Sequence, residues 1–237
     1  MYYLSYPIIM KMKRPTTILM VLVVLFFANF VSADDDWPMF RHNSNHTGYT
    51  TSYGPPNNTL SWSYTTGGLV YSSPAVANGI VYLGSYDRRV YALNSSTGAH
   101  VWNYTTGDEV YSSPAVANGI VYIGSYDKRV YALNASTGVQ MWNYTTGNSV
   151  YSSPAVANGV VYVGSYDNRT YALNASTGVQ MWNYTTRNSV ESSPAVANGV
   201  VYIGSYDGRV YAIPTNLRQS NIPLKLGWNL ISLPLLL

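Results

Sequence analysis

Side chains able to do chemistry are few in this sequence, and most of them recur at an interval of 40 residues. Tyr71, Tyr111 and Tyr151 occupy one recurring position, and at its fourth occurrence the phenol is replaced by the carboxylate of Glu191. Three phenols and one carboxylate brought together would suit a small polar or cationic ligand, since aromatic faces attract cations and a carboxylate fixes their charge. The plainer expectation is that Glu191 is a solvent-facing replacement with no ligand. His42 and His46 have the spacing that binds metal on a helix face, but Pro38, Gly48 and the intervening Asn and Ser residues oppose a helix there. Packing and capping roles are expected for both. Asp34, Asp35 and Asp36 read as a solvated start, because nothing nearby completes a cation cage. Asp87, Asp127, Asp167 and Asp207 recur with Arg89, Arg129, Arg169 and Arg209 two places on, a pattern suited to turns and exposed ion pairs. The chain has no cysteine, no Ser/His/Asp set and no unique pair of carboxylates, so no catalytic, cofactor-binding or metal-binding residue is assigned.

The elements that must position these residues are written four times over. The stretch from Val150 to Thr186 has copies beginning at Val70, Val110 and Val190, and Trp62, Trp102, Trp142 and Trp182 keep the same 40-residue period. A period of this length signals a repeat architecture. Within one copy, Ser153 to Ala157 and Val160 to Ser165 flank Asn158-Gly159, a strong hairpin signal because both turn residues tolerate positive φ. A turn around Asp167-Asn168 leads to a strand over Arg169 to Leu173. The Asn174 to Gly178 turn leads to a fourth strand over Val179 to Tyr184. A four-stranded antiparallel unit of this size must bury both faces against neighbours, and radial stacking into a β-propeller does so. Strand one then lines the channel, which places Tyr71, Tyr111, Tyr151 and Glu191 at its mouth.

The run Tyr171-Ala172-Leu173-Asn174-Ala175-Ser176-Thr177-Gly178, with Trp182 following, closely resembles the blade motif of pyrroloquinoline-quinone (PQQ)-like propellers. SSPAVANG and VYVGSYD resemble that family's first two strands. The resemblance runs from Trp37 to about Ile213. It implies structural roles for Trp62, Trp102, Trp142 and Trp182, and for the turn glycines Gly98, Gly138 and Gly178. It also implies that rings of this family close with about twice as many blades as this chain supplies. Quinone-dependent members hold quinone and calcium with adjacent cysteines and carboxylates in insertions, and this chain has neither feature.

The segment Leu60 to Thr66 reads as a fourth strand lacking its first three, whereas the last repeat stops at Ile213 without its fourth. Pairing the two would complete a blade and remove an open edge, giving an all-β propeller of four blades closed by its N-terminal strand. Two chains sharing one larger ring is the alternative closure, a fragment of a longer array is the third possibility, and near-identical repeats make exchange between chains cheap.

Residues 1–33 read as a signal peptide: Lys11, Lys13 and Arg14 precede an apolar run from Ile18, and Val31-Ser32-Ala33 offers a cleavage site. An uncleaved anchor is the alternative. Residues 34–58 form a lead-in, 59–213 the propeller, and 214–237 a linker with the first strand of a truncated β-domain. With a net charge of only +3 and basic residues scattered through turns, nucleic acid is not an expected partner. Sequons at Asn94, Asn103, Asn134, Asn143, Asn174 and Asn183 are candidate glycan sites in an exported chain, with simple turn formation as the alternative. The sequence therefore points to a non-catalytic secreted or cell-surface module for a protein or glycan partner. An envelope-assembly scaffold is the second reading, and a quinone-binding oxidoreductase the third.

Overall fold

The computed structural model describes residues 36–48 and 57–215. The expected signal peptide and C-terminal β-domain strand lie outside the described residues. Strands β1 (Ala75–Ala77), β2 (Ile80–Ser85), β3 (Arg89–Asn94) and β4 (His100–Thr105) form the first sheet. The second comprises β5 (Ala115–Ala117), β6 (Ile120–Gly124), β7 (Arg129–Asn134) and β8 (Gln140–Thr145). The third comprises β9 (Ala155–Ala157), β10 (Val160–Ser165), β11 (Arg169–Asn174) and β12 (Gln180–Thr185). The fourth has only β13 (Ala195–Ala197), β14 (Val200–Ser205) and β15 (Arg209–Pro214). All neighbours within a sheet pair antiparallel in sequence order, so each sheet is one propeller blade.

Turn chemistry explains the registers. Asn78 and Gly79 have φ of 51° and 74°, the primed-turn geometry that joins two strands with matching twist, and Asn-Gly repeats it in each blade. At the next turn Arg88, Lys128, Asn168 and Gly208 take φ between 68° and 79°. Asn94, Asn134 and Asn174 then accept backbone amides two and three residues on through Oδ1, nucleating the third turn. Gly98, Gly138 and Gly178 end that turn at φ 71°.

The core lies between blades, because each sheet is apolar on both faces. Trp102 and Trp142 lie against the turns that carry Gly138 and Gly178, each on the following blade. Their indole N–H groups donate to the carbonyls of Ala135 (2.8 Å) and Ala175 (2.9 Å). Tyr82 and Tyr122 donate their hydroxyls to those same carbonyls at 3.1 Å. Gly84, Gly124 and Gly164 leave room for Val110, Val150 and Val190, which are buried between blades. Nearer the channel, the amides of Ser73, Ser113 and Ser153 donate to the hydroxyls of Ser113, Ser153 and Ser193, stitching each inner strand to the next. The lead-in runs across these inner strands. Trp37 bridges Val76 of β1, Pro38 accepts from Val116 of β5, and Ser44 accepts from Val196 of β13. His42 packs edge-on against Trp37 and His46 against Phe40, with Arg41, His42 and His46 at positive φ, so packing replaces any helical metal pair.

The expected closure differs from what is found. Among the described residues β15 pairs with β14 alone, and residues 57–66 form no strand with it. Instead Trp62 packs on the first blade: its indole N–H donates to the Ser95 carbonyl at 2.9 Å, and its ring lies over Gly98. Trp102 and Trp142 likewise dock on the blade that follows them, but their strands β4 and β8 also pair with β3 and β7. Trp62 keeps the docking contact toward the first blade without the strand pairing.

Candidate functional site

The expected row of Tyr71, Tyr111, Tyr151 and Glu191 precedes the inner strands β1, β5, β9 and β13. A second row interleaves with it: Tyr86, Tyr126, Tyr166 and Tyr206, at the turns that follow β2, β6, β10 and β14. Backbone bonds hold the rows side by side, since the amides of Tyr86, Tyr126, Tyr166 and Tyr206 donate to the carbonyls of Leu69, Glu109, Ser149 and Ser189. The result is one ribbon of rings. Tyr71 and Tyr86 stack at 4.9 Å, Tyr86 and Tyr111 lie 4.2 Å apart, and Tyr111 and Tyr151 lie 4.5 Å apart. Tyr126 stands edge-on to Tyr151 at 5.0 Å, and Tyr151 meets Tyr166 at 4.8 Å. At the far end the Tyr206 hydroxyl donates to Glu191 at 2.5 Å. Sequence reasoning singled out the first row and missed the second, although the Ser-Tyr-Asp triplet recurs with the same period.

Three phenols of the ribbon, Tyr86, Tyr151 and Tyr206, are held more firmly in their protonated form than a free tyrosine. Loss of water among the packed rings, with Tyr111 close by, raises the Tyr86 pKa, and the same causes raise that of Tyr151 beside Tyr126 and Tyr111. The hydrogen bond to Glu191 raises that of Tyr206. Phenols held in the protonated form are poor nucleophiles and poor bases. What they provide is a partly exposed aromatic platform with hydroxyl donors and a single carboxylate at one end. Such a platform suits apolar faces, sugar rings or cationic groups.

The recurring aspartates are structural. Asp127 accepts the Gly107 amide (2.7 Å) and the Tyr131 hydroxyl (2.5 Å) on Oδ2 and the Arg129 amide (3.0 Å) on Oδ1. Asp87, Asp167 and Asp207 repeat the arrangement, clasping their own turn to the preceding outer strand. The expected Asp–Arg ion pairs do not form among the described residues; the salt bridge found there joins Arg88 to Asp108 at 3.9 Å. A quinone with calcium therefore does not fit: the repeat carboxylates are committed to amides and phenols, and the chain has no cysteine. Of the candidate glycan sites, Asn103, Asn143 and Asn183 are exposed on outer strands, while Asn94, Asn134 and Asn174 are half-buried within their turns.

The family described as outer membrane protein assembly factor BamB matches residues 46–151 and 147–220. Among solved structures, BamB from Moraxella catarrhalis superposes with a TM-score of 0.59 at 20% identity, over 65% of this chain and 49% of that one. The chain thus spans about half the length of that protein. The quinohemoprotein alcohol dehydrogenase of Comamonas testosteroni superposes with a TM-score of 0.63 at 22% identity, covering 72% of this chain and 35% of that chain. The computationally designed Ika4 protein gives 0.61 at 18% identity, over 67% of this chain and 98% of its own. No curated protein matches. At these identities the superpositions establish the fold, and the family match covers most of the sequence. The chain belongs to the family of PQQ-like β-propellers described as outer membrane protein assembly factor BamB.

Proposed function

We propose that the chain is a non-catalytic, secreted or cell-surface propeller that binds a protein or glycan partner through its tyrosine ribbon. The observation that carries this reading is the ribbon itself: six phenols from Tyr71 to Tyr166 in a continuous series of ring contacts, followed on the last blade by Tyr206 paired with Glu191. Interfaces favour tyrosine because it combines apolar area with a hydroxyl donor and loses little side-chain entropy. A non-enzymatic role is further supported by the commitment of the repeat aspartates to turns. A ring shared by two copies is the assembly in which the ribbon would be presented.

The test compares wild type with Tyr111→Ala/Tyr151→Ala on an immobilised glycan panel and on envelope extracts. The reading expects a bound species whose affinity falls at least about tenfold in the variant, since removing two aromatic contacts costs more than about 1.4 kcal/mol. Partners bound equally by both proteins refute it, and calcium-dependent stoichiometric uptake of pyrroloquinoline quinone refutes the non-catalytic part. The family match favours a second reading, an envelope-assembly scaffold whose partner is another envelope protein. Retention of such a protein, rather than a glycan, in the same experiment selects that reading.

A further inference from the structure

Both ends of the blade array are unfinished in ways that match each other. On the last blade Tyr202 is 42% exposed and Val210 78%, whereas their counterparts Tyr82 and Val90 on the first blade are 2% and 0% exposed beneath the next blade. A Cβ on Gly204 would meet nothing nearer than Ser192 at 3.4 Å, whereas one on Gly84 would meet Val110 at 2.3 Å. At the other end Val70, the counterpart of fully buried Val110, is 49% exposed. The Ser95 carbonyl accepts Trp62 at 2.9 Å, yet among the described residues no tyrosine hydroxyl joins it as Tyr82 joins Trp102 on Ala135. Thr106, Thr146 and Thr186 donate amide and hydroxyl to the carbonyls of Arg88, Lys128 and Asn168 within their own blades. Thr66 has the same sequence context but meets no such carbonyl among the described residues, where its hydroxyl bonds Gly68.

Three cavities mark these unfilled places. One of about 230 Å³ lies on the leading face of the first blade, between Trp62, Val70 and Leu83. One of about 190 Å³ lies between Trp182 of β12 and Ile213 of β15, where an outer strand is missing. One of about 300 Å³ lies between Glu191 and Gly204, where the next Val-Tyr pair would sit.

We propose that a second copy of this chain fills them, so that residues 59–66 of each copy form the outer strand of the other's fourth blade. The register follows from the first blade, where Arg89, Val90, Tyr91 and Ala92 face Thr105, Tyr104, Asn103 and Trp102. Arg209, Val210, Tyr211 and Ala212 therefore face Thr65, Tyr64, Ser63 and Trp62 of the second copy. Val70 of the second copy seats against Gly204, and Tyr202 donates to the Ser95 carbonyl of the second copy. Thr66 of the second copy donates to the Gly208 carbonyl. The same junction brings Tyr71 of the second copy beside Tyr206 and makes the tyrosine ribbon continuous. Each copy presents one head and one tail, and two copies make the smallest closed assembly that leaves neither open; its eight blades lie within the range propellers use, about 4 to 8, which three copies would exceed. The inference concerns only how the ends are covered, and it stands whether or not the ribbon binds a partner.

The chain has no cysteine, so a disulfide can be placed at the junction without background. Residues directly opposed on antiparallel strands have Cα atoms about 4.5–5.5 Å apart, within disulfide reach. Arg209→Cys and Thr65→Cys chains are made separately, refolded together and oxidised. The proposal expects a covalent dimer containing one chain of each kind, absent when either variant is oxidised alone. A second variant, Gly204→Val, is accommodated in a single copy but meets Val70 of the second, so it is expected to abolish the crosslink and leave folded monomers. Failure to form the mixed disulfide, a double variant that closes on itself as a monomer, assemblies larger than two chains, or a Gly204→Val protein that still dimerises would each overturn it.

Discussion

Replacing Gly138 by alanine isolates the contact that sets one blade against the next. Gly138 has φ 71°, and an added Cβ would lie 2.7 Å from the Trp102 ring of the preceding blade. Two costs add. The left-handed backbone penalises a side chain by about 1–2 kcal/mol. Overpacking a filled site costs about 1–3 kcal/mol more, since Trp102 is buried and held by its bond to Ala135. The protein supplies its own control at Gly119, whose φ is 73° and whose Cβ would meet nothing within 4 Å. Gly119→Ala should therefore lose only the backbone term, and Gly138→Ala about 2–5 kcal/mol in all. Each kcal/mol lowers Tm by about 2–4 °C in a domain of this size. Urea unfolding of the two variants beside wild type measures the difference. Equal losses would refute the reasoning, because they would mean that the tryptophan does not press on the turn it covers.

Other outcomes follow from the same geometry. Asp127→Asn keeps the shape but turns one acceptor into a donor among the Gly107 amide, the Tyr131 hydroxyl and the Arg129 amide, and should cost about 1–3 kcal/mol in chemical denaturation. Ser153→Ala removes the acceptor of the buried Ser113 amide and should cost about 1–2 kcal/mol by the same assay. Burial pushes the phenols of Tyr122, Tyr131 and Tyr171 up to about 12, from 10.0 in the unfolded chain. Stability from these groups is therefore complete below pH 10 and is lost as pH rises toward 12, where the unfolded chain ionises first; a circular-dichroism titration that is flat through this window would contradict the assignment. Glu191→Gln removes the charged acceptor that raises Tyr206, so the phenolate absorbance of that residue should appear at lower pH than in wild type.

The strands were legible because their signals are local. Asn158-Gly159 fixes a hairpin whatever surrounds it, and Asn174 to Gly178 nucleates its turn through one side-chain oxygen. The outer strand begins at Gln180 rather than Val179, after the register shift between Ala172 and Leu173, which no local pattern announces. The closure was legible only in part. The segment around Trp62 is written as an outer strand, but composition does not say which chain's β15 it joins, and its docking on Gly98 depends on the neighbouring blade. The aspartates form the expected turns, but the expected ion pairs were misread for a related reason. An Asp two residues before an Arg suggests an ion pair, whereas the real donors, Gly107 and Tyr131 for Asp127, come from the preceding blade and from two residues beyond that Arg. Half of the tyrosine ribbon was missed because Tyr86, Tyr126, Tyr166 and Tyr206 stand in what reads as simple turn sequence.

The most direct measurement is the solution mass of the chain by light scattering, set against the mass of its polypeptide by mass spectrometry. Twice the polypeptide mass for wild type, falling to the single-chain mass for Gly204→Val, is the expected result. A wild-type monomer that unfolds in one cooperative transition would contradict the account, because its two exposed end faces would then need no second copy to cover them.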